Sequence, residues 1–95
     1  MADLNIKHSE GDSGGRFYVT VDGHEAEMTY SKAGTTVMII DHTGVPEALG
    51  GQGVGLELVE AGIALARERG LKIMPLCPFA KAQFDKHPEW KDVLR

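Results

Sequence analysis

Four glycines between residues 50 and 55 form the most informative segment of this 95-residue chain. They lie in the run Gly50-Gly51-Gln52-Gly53-Val54-Gly55, between an apolar segment and a long helical pattern. Because glycines remove side chains from a turn, backbone N–H groups there can approach a bulky anion directly. No acidic residue occurs between Gly50 and Leu56, although most helices carry one in the first turn. The segment therefore predicts a helix N-terminus suited to a diphosphate.

Three nucleotide-binding motifs can be compared with this run. A Walker loop requires a lysine after its final glycine, and here Leu56 follows Gly55. The dinucleotide fingerprint Gly-x-Gly-x-x-Gly fails because Leu56 or Leu58 stands at its third glycine. The pyrophosphate loop of acyl-coenzyme A enzymes, Arg/Gln-x-x-Gly-x-Gly/Ala, fits at Gly53 and Gly55. A glycine-rich turn that binds no ligand is the alternative interpretation.

Hydrophobic periodicity predicts the elements that position the glycine run. A short alternating segment over residues 4–8 is followed by a break at residues 11–15. Three strands come next, over residues 16–21, 24–31 and 35–42, with turns at Asp22-Gly23 and at residues 32–34. The unbroken apolar run at residues 37–40 predicts that the last strand is central and covered on both faces.

Helical spacing replaces the alternation in the second half of the chain. It extends over Val54–Arg69, and Gly70 supplies the residue that ends the helix. A short strand over residues 71–76 and a short helix from Pro78 to Lys86 follow. The order predicts an α+β fold: an antiparallel meander leads to a central strand, the glycine loop, one long helix, a further strand and a short C-terminal helix.

The run from Ile40 to Leu94 resembles the GNAT superfamily of N-acetyltransferases, specifically its smallest branch, the YjdJ-type domain. Four segments carry the resemblance, at residues 41–46, 51–55, 75–79 and 86–90. It implies that residues 1–95 form a single minimal N-acetyltransferase domain, which moves an acetyl group from acetyl-CoA to an unidentified primary amine. A non-catalytic module that binds CoA or acyl-CoA is the alternative. The chain departs from the family at Gly50, where a basic residue is usual.

The resemblance also implies where the cofactor binds. The pantetheine arm would bond to backbone at Thr43 and Val45, and Phe79 could line its channel. The diphosphate would lie on the backbone amides of Gly50, Gly51, Gln52, Gly53, Val54 and Gly55. Because the helices that shape the acceptor site in larger members are missing, the acceptor cannot be read from this sequence.

Cys77 and His42 are the candidates for proton transfer. Cys77 precedes a predicted helix start, where the helix dipole lowers the pKa of a thiol. It is interpreted as a general acid or a covalent acetyl carrier, with inert packing as the alternative. His42, at the end of a predicted strand, could relay a proton or bond to loop backbone. Glu27 is interpreted first as a solvated carboxylate, in the region from which many GNAT enzymes draw a general base.

Composition excludes several other classes of protein. Fourteen acidic and ten basic residues give a net charge of −4, and no Lys/Arg cluster indicates a nucleic-acid or anionic membrane partner. No apolar run approaches the ~20 residues of a membrane span. Neither Cys-x-x-Cys nor His-Glu-x-x-His occurs, so we expect no metal site. A single cysteine suits a reducing compartment and predicts a cytoplasmic protein.

Overall fold

The computed structural model describes residues 5–95, which contain a five-stranded sheet. The strands lie across the sheet in the order in which they occur in the sequence. They are β1 (Lys7–Glu10), β2 (Gly14–Val21), β3 (His24–Ala33), β4 (Val37–Gly44) and β5 (Lys72–Pro75). Strands β1 to β4 form an antiparallel meander, whereas β5 lies parallel to β4. A parallel pair needs a crossover connection, which here contains the glycine loop.

Within residues 5–95, two α-helices and two 3-10 helices accompany the sheet. The helix α1 (Val54–Arg69) provides the crossover from β4 to β5, and α2 (Pro78–Lys86) follows β5. The 3-10 helices span Glu47–Leu49 and Pro88–Val93. The predicted α+β fold and the predicted bounds of both α-helices are confirmed. The sequence pattern indicated neither 3-10 helix, because three to six residues are too few to show a period.

Local backbone chemistry explains the tightest turn and the end of the long helix. Asp22 and Gly23 have φ values of 51° and 79°, as a two-residue hairpin turn requires. Gly70 adopts the left-handed conformation (φ 69°), and its N–H donates to the carbonyl oxygen of Ala66. The predicted hairpin and the predicted end of α1 are therefore confirmed.

The first two strands do not begin where the sequence predicted. β1 covers Lys7–Glu10 instead of residues 4–8, and Leu4 lies outside the described residues. β2 begins at Gly14, so the break between the two strands shortens to residues 11–13. Gly15 lies so close to the buried Tyr30 that an added Cβ would be 2.7 Å from its hydroxyl oxygen. These glycines therefore belong to the sheet, because they permit a close approach between strands.

The later strands are shifted relative to the prediction. β4 begins at Val37 instead of Thr35, and β5 covers Lys72–Pro75 instead of residues 71–76. β3 continues to Ala33, which pairs with Val37, so the turn moves to residues 34–36. β4 extends to Gly44, which pairs with Glu27, two residues beyond its predicted end. β4 therefore stays paired with β3 up to the point where the glycine loop begins.

One face of the sheet, here called the inner face, forms a single core with the helices. Core residues from sheet and helices include Met28, Met38, Ile40, Leu58, Val59, Ile63, Phe84 and Trp90. β4 is an interior strand, since β3 and β5 both pair with it. The prediction that residues 37–40 are covered on both faces is wrong, because Val37 and Ile39 are only half-buried and lie outside the core. Their side chains lie on the opposite, outer face, on which no described helix packs.

A carboxylate from the edge strand joins the sheet to the end of the long helix. Glu10 contacts the two terminal guanidinium nitrogens of Arg69 (2.7 and 2.9 Å) and the ammonium group of Lys32 (2.7 Å). The hydrogen bond from Arg69, with that from Lys32, lowers the pKa of Glu10 from 4.5 to about 2. The ionised form is therefore favoured by folding, as in other paired carboxylates.

This lowered pKa predicts how the stability depends on pH. The contribution of Glu10 is complete above pH 4.5 and is lost as the pH falls toward 2, because the carboxylate is then protonated. Glu10→Gln should lower the melting temperature at pH 7, and its difference from wild type should vanish near pH 2. Thermal unfolding followed across this range checks the prediction, with exposed Glu60→Gln as control. A difference between wild type and Glu10→Gln that is independent of pH would contradict it.

Candidate active site

A bulge interrupts the fourth strand on the approach to the glycine loop. Thr29 pairs with His42 and Tyr30 pairs with Ile40, so Asp41 is an extra residue in β4. A bulge of this kind bends the strand and redirects the residues that follow it. The last three residues of β4 are therefore set at an angle to the rest of the sheet.

β4 and β5 diverge next to this bulge. Their parallel pairing ends at Ile40 and Pro75. The N–H groups of Leu76 and Cys77 then both donate to the carbonyl oxygen of Ile40, at 3.1 Å each. Beyond that oxygen β4 pairs with β3 alone, and the chain after β5 turns into α2. The result is an opening between the carboxyl ends of two adjacent strands.

The glycine loop begins at this opening and is held in place by one apolar side chain. Leu49, in the first 3-10 helix, is 1% exposed and belongs to the core. Gly51 and Gly53 have φ values of 78° and 75°, which side chains other than glycine adopt with strain. Gly50, in contrast, has an ordinary extended conformation (φ −60°, ψ 144°). The loop therefore requires glycine at residues 51 and 53, but the backbone conformation does not require it at 50.

The start of α1 has backbone N–H groups that find no partner among the described residues. Its N-cap residue is Gly53, which offers no side chain to accept a hydrogen bond. The first N–H to find a helical acceptor is that of Glu57, which donates to the carbonyl oxygen of Gly53 (3.0 Å). The N–H groups of residues 54–56 thus point out of the helix end, where the positive end of the dipole favours an anion. The glycine run predicts this free helix start, but not the acidic residue in the first turn, which is Glu57.

A groove of about 440 Å³ lies over this helix start. The loop forms one wall, and Phe79 and Gln83 of α2 form the other. Gly55 is buried beneath the Phe79 ring, and an added Cβ would lie 2.6 Å from its Cζ atom. Gln83 belongs to no recognisable motif, although its i,i+4 relation to Phe79 places the two on one face of a predicted helix.

Cys77 lies on the inner side of the opening, buried in the core at the N-cap of α2. Burial raises the pKa of its thiol, but backbone N–H groups, that of Ala80 foremost, together stabilise the thiolate more strongly. The pKa of the thiol is therefore below its ordinary value of 9.0. The Thr43 hydroxyl is itself buried and has no hydrogen-bond partner within residues 5–95.

His42 lies on the outer face, separated from Cys77 by the sheet. It pairs with Thr29, is exposed, and its Nε2 atom would lie 3.1 Å from a Cβ added to Gly44. Glu27 pairs with that glycine and accepts a hydrogen bond from Nε of Arg16 (2.9 Å). Cys77 and His42, the two residues predicted to transfer protons, therefore lie on opposite faces of the sheet and cannot contact each other.

A second cavity, of about 370 Å³, lies at the other end of α1. Lys32, Arg69 and the hydroxyl-bearing Tyr30 line it, but both cations are already paired with Glu10. It has no glycine-rich helix start, so the groove over α1 is the better candidate for a nucleotide.

Among residues 5–95, no three His, Cys, Asp or Glu side chains gather closely enough to hold a metal ion. Within the same residues, neither α-helix is long and apolar enough to cross a bilayer.

Comparison with known proteins agrees with this geometry. The family model described as GCN5-related N-acetyl-transferase matches residues 16–93, so the chain belongs to that family. The structure is similar to the solution structure of a GCN5-like protein from Staphylococcus aureus, a candidate N-acetyltransferase. The two chains are 41% identical with a TM-score of 0.75, over 100% of this chain and 91% of the other. A search of curated proteins gives no match. The resemblance to N-acetyltransferases predicted from the sequence is confirmed.

The contact between Gly55 and Phe79 predicts an unusual reversal in a double-mutant cycle. Gly55→Ala should destabilise the protein by ~1–2 kcal/mol, because the new methyl group enters the space of the ring. In a Phe79→Ala background the same substitution should stabilise it by up to ~1 kcal/mol, since alanine is the better helix former. Urea unfolding of the four proteins measures both effects. Equal effects of Gly55→Ala in the two backgrounds would contradict the contact.

Proposed function

We propose that this protein is an acetyl-CoA-dependent N-acetyltransferase that acts on a primary amine. The observation that carries the proposal is the uncapped, glycine-rich start of α1 beside the opening between β4 and β5. A free helix N-terminus favours a diphosphate, and the opening gives a path from that diphosphate to Cys77. Membership of the GCN5-related family supports the same activity.

The residues around the groove fit coenzyme A. The amides of Gly51, Gln52, Gly53, Val54 and Gly55 would hold its diphosphate. The predicted contribution of Gly50 is not supported, because its N–H already donates to the carbonyl oxygen of Glu47 (3.0 Å). Backbone groups of Thr43 and Val45 would bind the pantetheine arm, and Phe79 would form a wall beside it. The buried Thr43 hydroxyl, which has no partner within residues 5–95, is a further group that a pantetheine amide or the thioester region could satisfy. When bound, acetyl-CoA supplies the activated acetyl group.

Cys77 is the residue that we assign to proton transfer on the inner side of the opening. Its thiol lies next to Thr43, which is also one of the residues assigned to the pantetheine arm. A thiol whose pKa is lowered by backbone N–H groups gives up its proton more readily than an ordinary cysteine, so it can protonate a leaving thiolate. The same shift also makes the thiolate available as an acetyl carrier.

His42 and Glu27 lie on the opposite face, where an amine would arrive. Exposed His42 at the bulge presents an imidazole ring to an arriving amine, and it is the second residue that we assign to catalysis. Glu27 is held by Arg16 and is better suited to orientation than to proton transfer. The amine and the cofactor would thus approach the opening from different sides of the sheet.

The alternative is a module that binds CoA without catalysis, and Gly50 favours it. The family usually has a basic residue at this position, where it can contact the diphosphate. The backbone of Gly50 accepts other residues, although a Cβ would lie 3.1 Å from the carbonyl oxygen of Glu47. The missing charge is therefore a property of this sequence and is not imposed by the loop, and weaker cofactor binding is the expected consequence.

The biological setting that we propose follows from the sequence. Residues 1–95 act as one domain with acetyl-CoA and an amine as its partners, without a metal, a nucleic acid or a membrane. The single thiol suits the cytoplasm, where reducing conditions keep cysteine free.

The cofactor site is tested by two nearly isosteric substitutions at Gly53. Gly53→Asp places a carboxylate beside the proposed diphosphate, and affinity for acetyl-CoA should fall by at least about 30-fold, or ~2 kcal/mol. Gly53→Asn strains the same positive φ to a similar degree and adds no charge, so it is the matched control. Calorimetric titration with acetyl-CoA measures both variants. Equal affinities of the Asp and Asn variants would contradict the assigned diphosphate position.

The role of Cys77 is tested by turnover, pH and mass. Cys77→Ala should reduce turnover by about 10²-fold and leave CoA affinity within a few-fold, because the thiol acts on the reacting end. A general acid predicts a rate that falls as pH rises through the thiol pKa, below 9.0, whereas a nucleophile predicts a rise. Only the nucleophile leaves an acetyl group on Cys77 when acetyl-CoA is added without an amine. Full turnover by Cys77→Ala would show that the thiol is a packing residue.

A further inference from the structure

The last of the four segments that carry the family resemblance has no role in the site described above. It begins at the end of α2, where the N–H of His87 donates to the carbonyl oxygen of Phe84 (3.2 Å). The His87 ring stacks on the ring of Trp90, with 4.2 Å between their centroids, and Trp90 meets the edge of the buried Phe84 ring. These contacts hold the end of α2 and so fix where its last residue, Lys86, lies.

Lys86 lies on the face of α2 that forms one wall of the groove. Phe79 and Gln83 line the groove, and Lys86 follows them at the spacing i+7 and i+3. The three residues therefore share one helix face, with Lys86 about 4.5 Å further along the axis than Gln83. Ala80 and Phe84, which are buried, occupy the neighbouring face against the core. Exposed Lys86 thus extends the groove wall beyond Gln83 with a positive charge.

The groove itself has no cation. Glu47 is the one charged residue that lines it, and the loop has Gly50 where the family usually has a base. Lys81, the other lysine of α2, lies on the far side of the helix, where it contacts Asp85 (3.9 Å). Lys86 has no ion pair among the described residues. It is therefore the lysine of α2 that is free to contact an anion extending from the groove.

Coenzyme A carries more phosphate than the helix start can bind. The free N–H groups at the start of α1 can serve the diphosphate, as proposed above. The ribose of the same molecule carries a separate 3′-phosphate, a monoester with a charge of about −1.5 to −2 at pH 7. Such a group is bound most strongly by a lysine or arginine side chain, which donates charged hydrogen bonds to its oxygens.

We propose that Lys86 binds the 3′-phosphate of coenzyme A. This inference rests on the proposed function. With the diphosphate on the start of α1, the adenosine would lie along α2 beyond Gln83, and its 3′-phosphate would meet the ammonium group of Lys86. The positive charge that the loop lacks at Gly50 would thus come from the opposite wall of the groove. Lys86 would select the complete cofactor and would take no part in acetyl transfer.

A purely structural role for Lys86 makes a different prediction. A lysine in the last turn of a helix interacts favourably with the helix dipole. Its loss would then lower the stability of α2 and would affect all ligands of the groove alike. A contact with the 3′-phosphate instead affects only ligands that carry this group. Coenzyme A and 3′-dephospho-coenzyme A, which keeps the diphosphate and the pantetheine arm, separate the two roles.

Calorimetric titration of the full chain with these two ligands tests the proposal. The wild-type protein should bind coenzyme A about fivefold more tightly than the dephospho form, and less so at high ionic strength. Lys86→Gln should abolish this preference and bind the dephospho form within about twofold of wild type, whereas Lys86→Arg should retain the preference. The matched control Lys81→Gln removes the same charge from the far side of α2 and should also retain it.

Three results would overturn the role of Lys86 while leaving the proposed function in place. They are equal binding of both ligands by the wild-type protein, an unchanged preference in Lys86→Gln, and the same loss of preference in Lys81→Gln as in Lys86→Gln. An equal loss of affinity for both ligands in Lys86→Gln would likewise show a structural role. Binding of neither ligand at millimolar concentration would contradict the proposed function, and this inference with it.

Discussion

The carbonyl oxygen of Ile40 is the point on which the arrangement of the site depends. It accepts the N–H groups of both Leu76 and Cys77, so it ends the pairing of β4 with β5 and fixes the start of α2. The extra residue Asp41 directs the rest of β4 away at the same level. β4 and β5 are hydrogen-bonded to each other up to this oxygen and are unpaired with each other beyond it. Backbone hydrogen bonds therefore create the opening. The opening determines where the glycine loop, Cys77 and His42 lie.

The chain achieves this with a single layer of helices. All the described helices bury their apolar residues against the inner face, where β2, β3 and β4 contribute the alternating residues that meet them. The outer face is left as an open sheet whose strongest contacts are between its own side chains, such as Arg16 with two glutamates. The outer side of the opening is therefore bounded by an open sheet and not by a closed pocket.

Periodicity and motif order were sufficient to predict the fold class and both α-helices, and the glycine run indicated where the free helix start lies. Local signals could not predict that Gly14 and Gly15 are part of a strand, since that follows from how closely Tyr30 approaches them. The continuous apolar run at residues 37–40 suggested two covered faces, but continuity cannot distinguish a covered face from one that is left open. The positions of Cys77 and His42 on different faces depend on the bulge at Asp41. A bulge shifts the alternation by one residue and leaves no mark in the composition of the strand.

Titration of the uniformly labelled protein with acetyl-CoA, followed by backbone amide chemical shifts, would locate the cofactor site. The largest changes should lie between Thr43 and Leu56 and extend to Phe79 and Gln83 across the groove. Changes at the outer-face residues should be small, because the proposed cofactor groove lies on the inner side. Shifts centred on Tyr30, Lys32 and Arg69 at the other cavity, or no shifts at millimolar acetyl-CoA, would contradict this cofactor site.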